Sequence, residues 1–214
     1  MKVSHAFAAV AIAAAGLIPA AAGAAASNPA PPPPAAATAE ATTVTPSGTW
    51  PDTWVPLADY TDTIAVAVPT SWGQMEIMPA LNDDGSPRPW LAATPDMSAF
   101  LPAEGEPDTF TVPGMVFMAY PGIVDTAATV AGSEYHDVCD AQPVATFTRG
   151  LMQGHLQEFT GCGDDTAARI VFVAATIDGN PDTYLLLVQL TGAPNDDAVL
   201  DGLLSSFSPI DVPG

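Results

Sequence analysis

The sequence predicts an α+β domain, an antiparallel sheet flanked by helices, over residues 50–214. Three observations predict it. Apolar, β-branched runs recur between turn residues, a helical apolar stripe lies near the end of the chain, and nothing repeats at a fixed period. About 165 residues are enough for one domain with its own core.

Two segments precede that domain. Residues 1–26 read MKVSHAFAAVAIAAAGLIPAAAGAAA, a basic start at Lys2, an apolar stretch and then small residues around Gly23. That is the layout of a secretory signal peptide with an A-x-A type cleavage site. A membrane anchor fits less well, because the run is Ala-rich and broken by Gly16, Pro19 and Gly23. Residues 27–49 are rich in Pro, Ala and Thr, with almost no large apolar side chain to offset the entropy of ordering. They predict an extended spacer.

Within the domain, residues 63–68 (TIAVAV) are β-branched at alternate positions and stop at Pro69, as a strand does. Residues 74–78 (QMEIM) alternate polar and apolar, and are expected to pair with 63–68 across the turn at Ser71 and Gly73. Residues 95–101 (PDMSAFL) predict a short helix. Residues 114–120 (GMVFMAY) form an apolar strand run ended by Pro121 and Gly122. A helix is expected over 124–135, starting near Asp125 and weakened by Gly132. Residues 155–160 (HLQEFT) give a weaker strand signal. Residues 169–177 (RIVFVAATI) and 183–191 (TYLLLVQLT) predict a hairpin across Asp178-Gly179-Asn180-Pro181-Asp182. Residues 195–207 predict the clearest helix: Asn195 as cap, Asp196 and Asp197 in the first turn, and Val199, Leu200, Leu203, Leu204 and Phe207 on one face. Hairpins with helices packed on them give an α/β/α sandwich.

The ordered series TIAVAVPTSW, RPWLAATPDMSAFLP, PGMVFMAYP, the turn Gly161-Cys162-Gly163, LLLVQL and DDAVLDGLLSSF resembles a domain of exported actinobacterial proteins. That domain also occurs appended to secreted trypsin-like serine proteases, and it is similar to PsbP-like and LpqN-type sandwich folds. The resemblance spans residues 50–209 and is carried by the order of the segments, since each motif alone is weak. It implies a helix-flanked antiparallel sheet and an accessory or binding role without a catalytic centre.

Charge narrows the partners. The chain has 4 Lys+Arg against 24 Asp+Glu, a net charge of −20, and losing Lys2 with a leader leaves only three basic residues. Such a chain repels nucleic acid and anionic lipid surfaces. No G-x-S-x-G elbow occurs, and Ser71, Ser98, Ser133, Ser205 and Ser206 sit in turn, cap or helix contexts. Neither phosphate-binding glycine signature is present. Glu76, Glu134 and Glu158 are isolated in sequence, so carboxylate-pair chemistry depends on the fold. Asn82-Asp83-Asp84-Gly85 reads as a turn, lacking the alternating ligands of a calcium loop.

The chain's two cysteines, Cys139 and Cys162, are expected to form one disulfide, as paired cysteines of exported proteins do. Cys139 with His155 is the competing thiol–base reading. His136, Asp137, Asp140, His155 and Asp164 are candidate metal ligands, but their spacing matches no established motif, and neither metal nor cofactor is expected. Trp50, Trp54, Trp72 and Trp90 flank prolines or turns; as core they cover the sheet, and left exposed they would mark a ligand surface. The expected function is a secreted, monomeric, non-enzymatic domain of the bacterial cell envelope. Its expected partner is a hydrophobic small molecule or an envelope protein. The alternative is a secreted hydrolase using His136 and His155 near the disulfide.

Overall fold

A computed structural model describes residues 53–82, 85–103, 109–122, 124–163 and 167–210. The expected leader (1–26) and spacer (27–49) lie outside the described residues, as do Trp50 and Asp164. In chain order the strands are β1 (Trp54–Ala58), β2 (Ile64–Pro69), β3 (Gln74–Glu76), β4 (Ala80–Leu81), β5 (Pro87–Arg88), β6 (Trp90–Thr94) and β7 (Gly114–Pro121). They continue with β8 (Asp140–Ala141), β9 (Ala145–Arg149), β10 (Met152–Thr160), β11 (Arg169–Ile177), β12 (Asp182–Leu190) and β13 (Ser208–Pro209). The helices are α1 (Met97–Phe100), α2 (Thr126–Ala131) and α3 (Asp196–Ser206), with a 3-10 turn at Glu134–Asp137.

Strand makes up 46% of the described residues and helix 17%. The fold is therefore β-rich, and the expected α+β sandwich of a sheet flanked by helices is corrected. The reason lies in strands that carry no alternating signal. β6 (WLAAT) is buried at all five positions and Ala-rich, so it shows neither alternation nor strong β propensity. β1 holds an exposed Pro56, and β9 is an edge strand with only Phe147 buried.

The main sheet has eight strands in the order β3-β6-β7-β12-β11-β10-β8, with β9 also pairing β10. Every pairing is antiparallel; β9 takes residues 152–156 of β10 and β8 takes 159–160. The hairpin of β11 and β12 forms in the expected place, with Gly179 at φ 80° in its turn, a conformation that glycine adopts without steric cost. QMEIM does not pair with β2. On the edge of β2 away from β1, β13 pairs Ile64 and Ala65 and the Ser206 hydroxyl bonds Ala67, and β3 pairs with β6 instead.

Two cores follow from strand alternation. On one face Leu91, Met115, Phe117, Val171, Val173, Leu186 and Val188 pack against Ile64, Val66 and Val68 of β2 and against Val199, Leu203 and Phe207 at α3. Phe207 meets Phe117 edge-on at 5.3 Å between ring centroids, which ties the end of α3 to the sheet. On the other face Trp90, Val116, Met118, Phe159, Ile170, Phe172 and Leu185 pack against Phe100 of α1, Phe110, Val130 of α2 and Cys162. Because both faces are covered, the central strands read as near-continuous apolar runs.

The helices are shorter than expected. Asp96 caps α1, accepting from the N–H groups of Ser98 and Ala99, and Asp125 caps α2 through Ala128 N–H. Gly132 ends α2, so the helix expected over 124–135 splits into α2 and the 3-10 turn. At α3 the Asn195 side chain makes no capping bond. The Asp196 carboxylate instead accepts from the N–H groups of Thr191, Gly192 and Ala193 at 3.0, 2.7 and 3.0 Å, holding the approach to the helix.

Candidate functional site

Cys139 and Cys162 form the disulfide, with Cα atoms 4.2 Å apart. It joins the 3-10 turn to the end of β10, and Gly163 N–H donates to Val138 O at 3.0 Å beside it. Cys162 is fully buried against the second core. Both cysteines being bonded, the thiol–base pairing of Cys139 with His155 does not form.

The two histidines go to different neighbours. His136 is exposed and stands edge-on to Phe159 at 5.2 Å. His155 is half-buried on β10 and its Nδ1 lies 2.8 Å from Thr126 Oγ1 at the start of α2. Thr126 was not singled out by sequence; the signal available was its place after the Asp125 cap on a helix facing β10. Two residues beyond His155 on β10, Gln157 is buried and donates to Gln142 O at 2.8 Å, while its Oε1 has no partner. Among the described residues, no group of three or more His, Cys, Asp or Glu is arranged to hold a metal ion.

Ser98, Ser133, Ser205 and Ser206 are each engaged with a cap or with backbone. Ser98 donates to its own cap, Asp96 Oδ1, at 2.8 Å, and Ser133 caps the 3-10 turn. Ser205 donates to Gly202 O at 2.9 Å, and Ser206 bonds Ala67 and Leu203. Glu158 lies 3.6 Å from Arg169, which also bonds Asp197 at 2.7 Å. Arg169 and Asp197 line a small polar cavity of about 260 Å³ with Thr160 and Asp196.

A larger and more apolar groove, about 420 Å³, opens between the β1–β2 hairpin and α3. Trp54, Pro69, Ala198 and Val199 form its walls, and Thr53, Thr70, Ser71 and Asn195 its rim. Trp54 and Pro69 are cross-strand partners, so the hairpin register places the indole beside the proline ring. The helix contributes Asn195, Ala198, Val199 and Gly202, spaced i, i+3, i+4 and i+7 along one face. Gly202 is what lets the indole approach: a Cβ there would come within 2.3 Å of the Trp54 ring. Trp72 and Trp90 are buried, each 3% exposed, whereas Trp54 is half-buried. Of the described tryptophans flagged by sequence, Trp54 is the one on a groove wall. The helix stripe beside it was legible from spacing but was read only for its core-facing side.

Among the described residues no helix is long and apolar enough to cross a membrane. No protein-family model matches the sequence, and no curated protein matches it. The resemblance to exported PsbP-like domains rests on the order of the quoted segments alone.

Proposed function

We propose that this chain is an exported, non-enzymatic binding domain that takes an apolar small molecule into the groove beside Trp54. The observation that carries this reading is the lining of that groove: an indole, Pro69, Ala198 and Val199 around about 420 Å³, with a polar rim. Small-ligand sites occupy roughly 300–1,000 Å³ and have the same division into apolar walls and a few polar groups. Export is supported by the leader-like residues 1–26 and by the Cys139–Cys162 disulfide, a bond that persists in oxidising compartments. The engagement of Ser98, Ser133, Ser205 and Ser206 with caps and carbonyls favours binding over acyl transfer.

The test is titration of the full chain with N-phenyl-1-naphthylamine, a neutral apolar fluorophore. Saturable binding is expected, weakened by Trp54→Ala and blocked by Ala198→Trp, which fills the groove. Non-saturable enhancement, or binding unaltered in both variants, overturns the groove reading. Turnover of an ester, peptide or glycan substrate that is lost in folded His155→Ala protein overturns the non-enzymatic part.

A further inference from the structure

The corner where β5, β6 and β7 meet carries two buried donors without acceptors. Trp90 is 3% exposed and its Nε1–H has no hydrogen-bond partner; the Nε–H of Arg88 is likewise buried and unpartnered. Residues 88 and 90 are two apart on extended chain, so their side chains leave on the same side. β7 holds both in place. Trp90 pairs with Met118, Ala119 N–H donates to Pro89 O at 3.1 Å, and the Arg88 guanidinium lies 4.3 Å from the centroid of the Tyr120 ring. Met118 and Tyr120 are themselves two apart on β7, so the two donors share one small patch of the sheet.

Native folds leave few buried N–H groups unpaired, and each that remains calls for an explanation. The charge at Arg88 sharpens the question. Arg169 is neutralised by Asp197 and Glu158. Arg88 makes no ion pair among the described residues and rests on an aromatic face instead. A guanidinium Nε–H and an indole N–H, both buried and unpartnered, call for an anionic oxygen acceptor. A singly charged carboxylate matches one unpaired cation, whereas a dianion would leave excess negative charge in a chain already at −20. The surround is apolar: Ala80 pairs with Arg88, Met118 pairs with Leu185, and Leu187 is part-exposed although it lies on a central strand.

We propose that Arg88 and Trp90 form a binding site for the carboxylate of an apolar organic acid, whose aliphatic body lies along Met118, Leu185 and Leu187. This site is on the opposite face of the main sheet from the Trp54 groove and does not depend on it.

The test uses octanoate and octanol, which share the apolar chain but not the carboxylate. The readout is the Trp90 indole N–H resonance of the full chain, assigned by its loss in Trp90→Phe. Octanoate is expected to shift that resonance saturably and to bind at least about tenfold more tightly than octanol. Arg88→Gln is expected to lower octanoate affinity, read at the Trp90 resonance, about tenfold. A Trp90 resonance that does not move, equal affinity for octanol, or undiminished affinity in folded Arg88→Gln overturns the proposal. If Arg88→Gln does not fold, the octanoate–octanol comparison on the unaltered chain decides.

Discussion

Replacing both Cys139 and Cys162 with Ala tests how the disulfide stabilises the fold. The bridge spans a sequence separation of 23. On the chain-entropy estimate, releasing a loop of that length costs roughly 3 kcal/mol, because the unfolded chain regains the freedom the bond removed. A second contribution is local. Cys162 is fully buried against the second core, and removing its sulfur costs about a further 1 kcal/mol in lost packing. The corner keeps other ties: Cys139 N–H to Tyr135 O at 2.9 Å, Gly163 N–H to Val138 O at 3.0 Å, and the pairing of Asp140 with Thr160. The variant should therefore fold to the same structure and be less stable by about 4 kcal/mol. At two to four degrees per kcal/mol, Tm falls by roughly 10 °C. Urea denaturation gives the free energy, and the m-value should rise slightly as the unfolded chain expands. A stability loss under about 1 kcal/mol would refute the loop-entropy reasoning. So would free thiols in the native protein, read from intact mass before and after reduction.

Two further outcomes follow from buried contacts. Asp59 is 3% exposed, and burial alone would raise its carboxyl, but the Thr61 hydroxyl and the N–H groups of Ile64, Thr61 and Thr63 outweigh this and hold it below the usual value. A depressed folded pKa adds stability that is fully present above the unfolded value near about 4 and is lost as pH falls through the folded value. Asp59→Asn should therefore flatten the acid limb of stability below about pH 4 and cost roughly 2 kcal/mol at neutral pH, measured by urea melts across pH; an acid limb identical to the wild type contradicts this. At Gly202, alanine gains up to about 1 kcal/mol of helix propensity. Its Cβ, however, would meet the Trp54 ring at 2.3 Å and push the indole off the helix. A net loss of about 1 kcal/mol with red-shifted tryptophan emission is expected, and net stabilisation with unshifted emission refutes the contact.

The legible parts of the fold are those where burial and local chemistry agree. β11 and β12 combine long β-branched or leucine-rich runs with a Gly179-Asn180-Pro181 turn, and α3 places Val199, Leu203 and Phe207 on one face. The fold class failed because the covering layers were counted from helical signals. One layer over the first core is in large part the sheet β1-β2-β13, yet β13 is only Ser208–Pro209 and β1 is an edge carrying Pro56. Strands that short have no period to read. The pairing of β3 was misplaced for a non-local reason: the edge of β2 away from β1 is met by Ser206 at Ala67 and by β13 at Ile64 and Ala65, more than a hundred residues further along the chain.

The disulfide was legible because it depends on cysteine count and compartment, not on geometry. The Arg88–Trp90 corner was not, because its chemistry depends on which residues share a face across several strands. Registers carry a single row through Trp90, Met118, Leu185, Ala174 and His155, on β6, β7, β12, β11 and β10 in turn. A slip of one residue in any of those pairings would exchange that row for its neighbour and send its side chains to the other core. Four registers must therefore be known before Trp90 can be placed beside Met118 and on the same face as His155. Alternation along one strand says which residues share a side, but only the pairings between strands say which side that is, and those pairings leave no local trace in the chain.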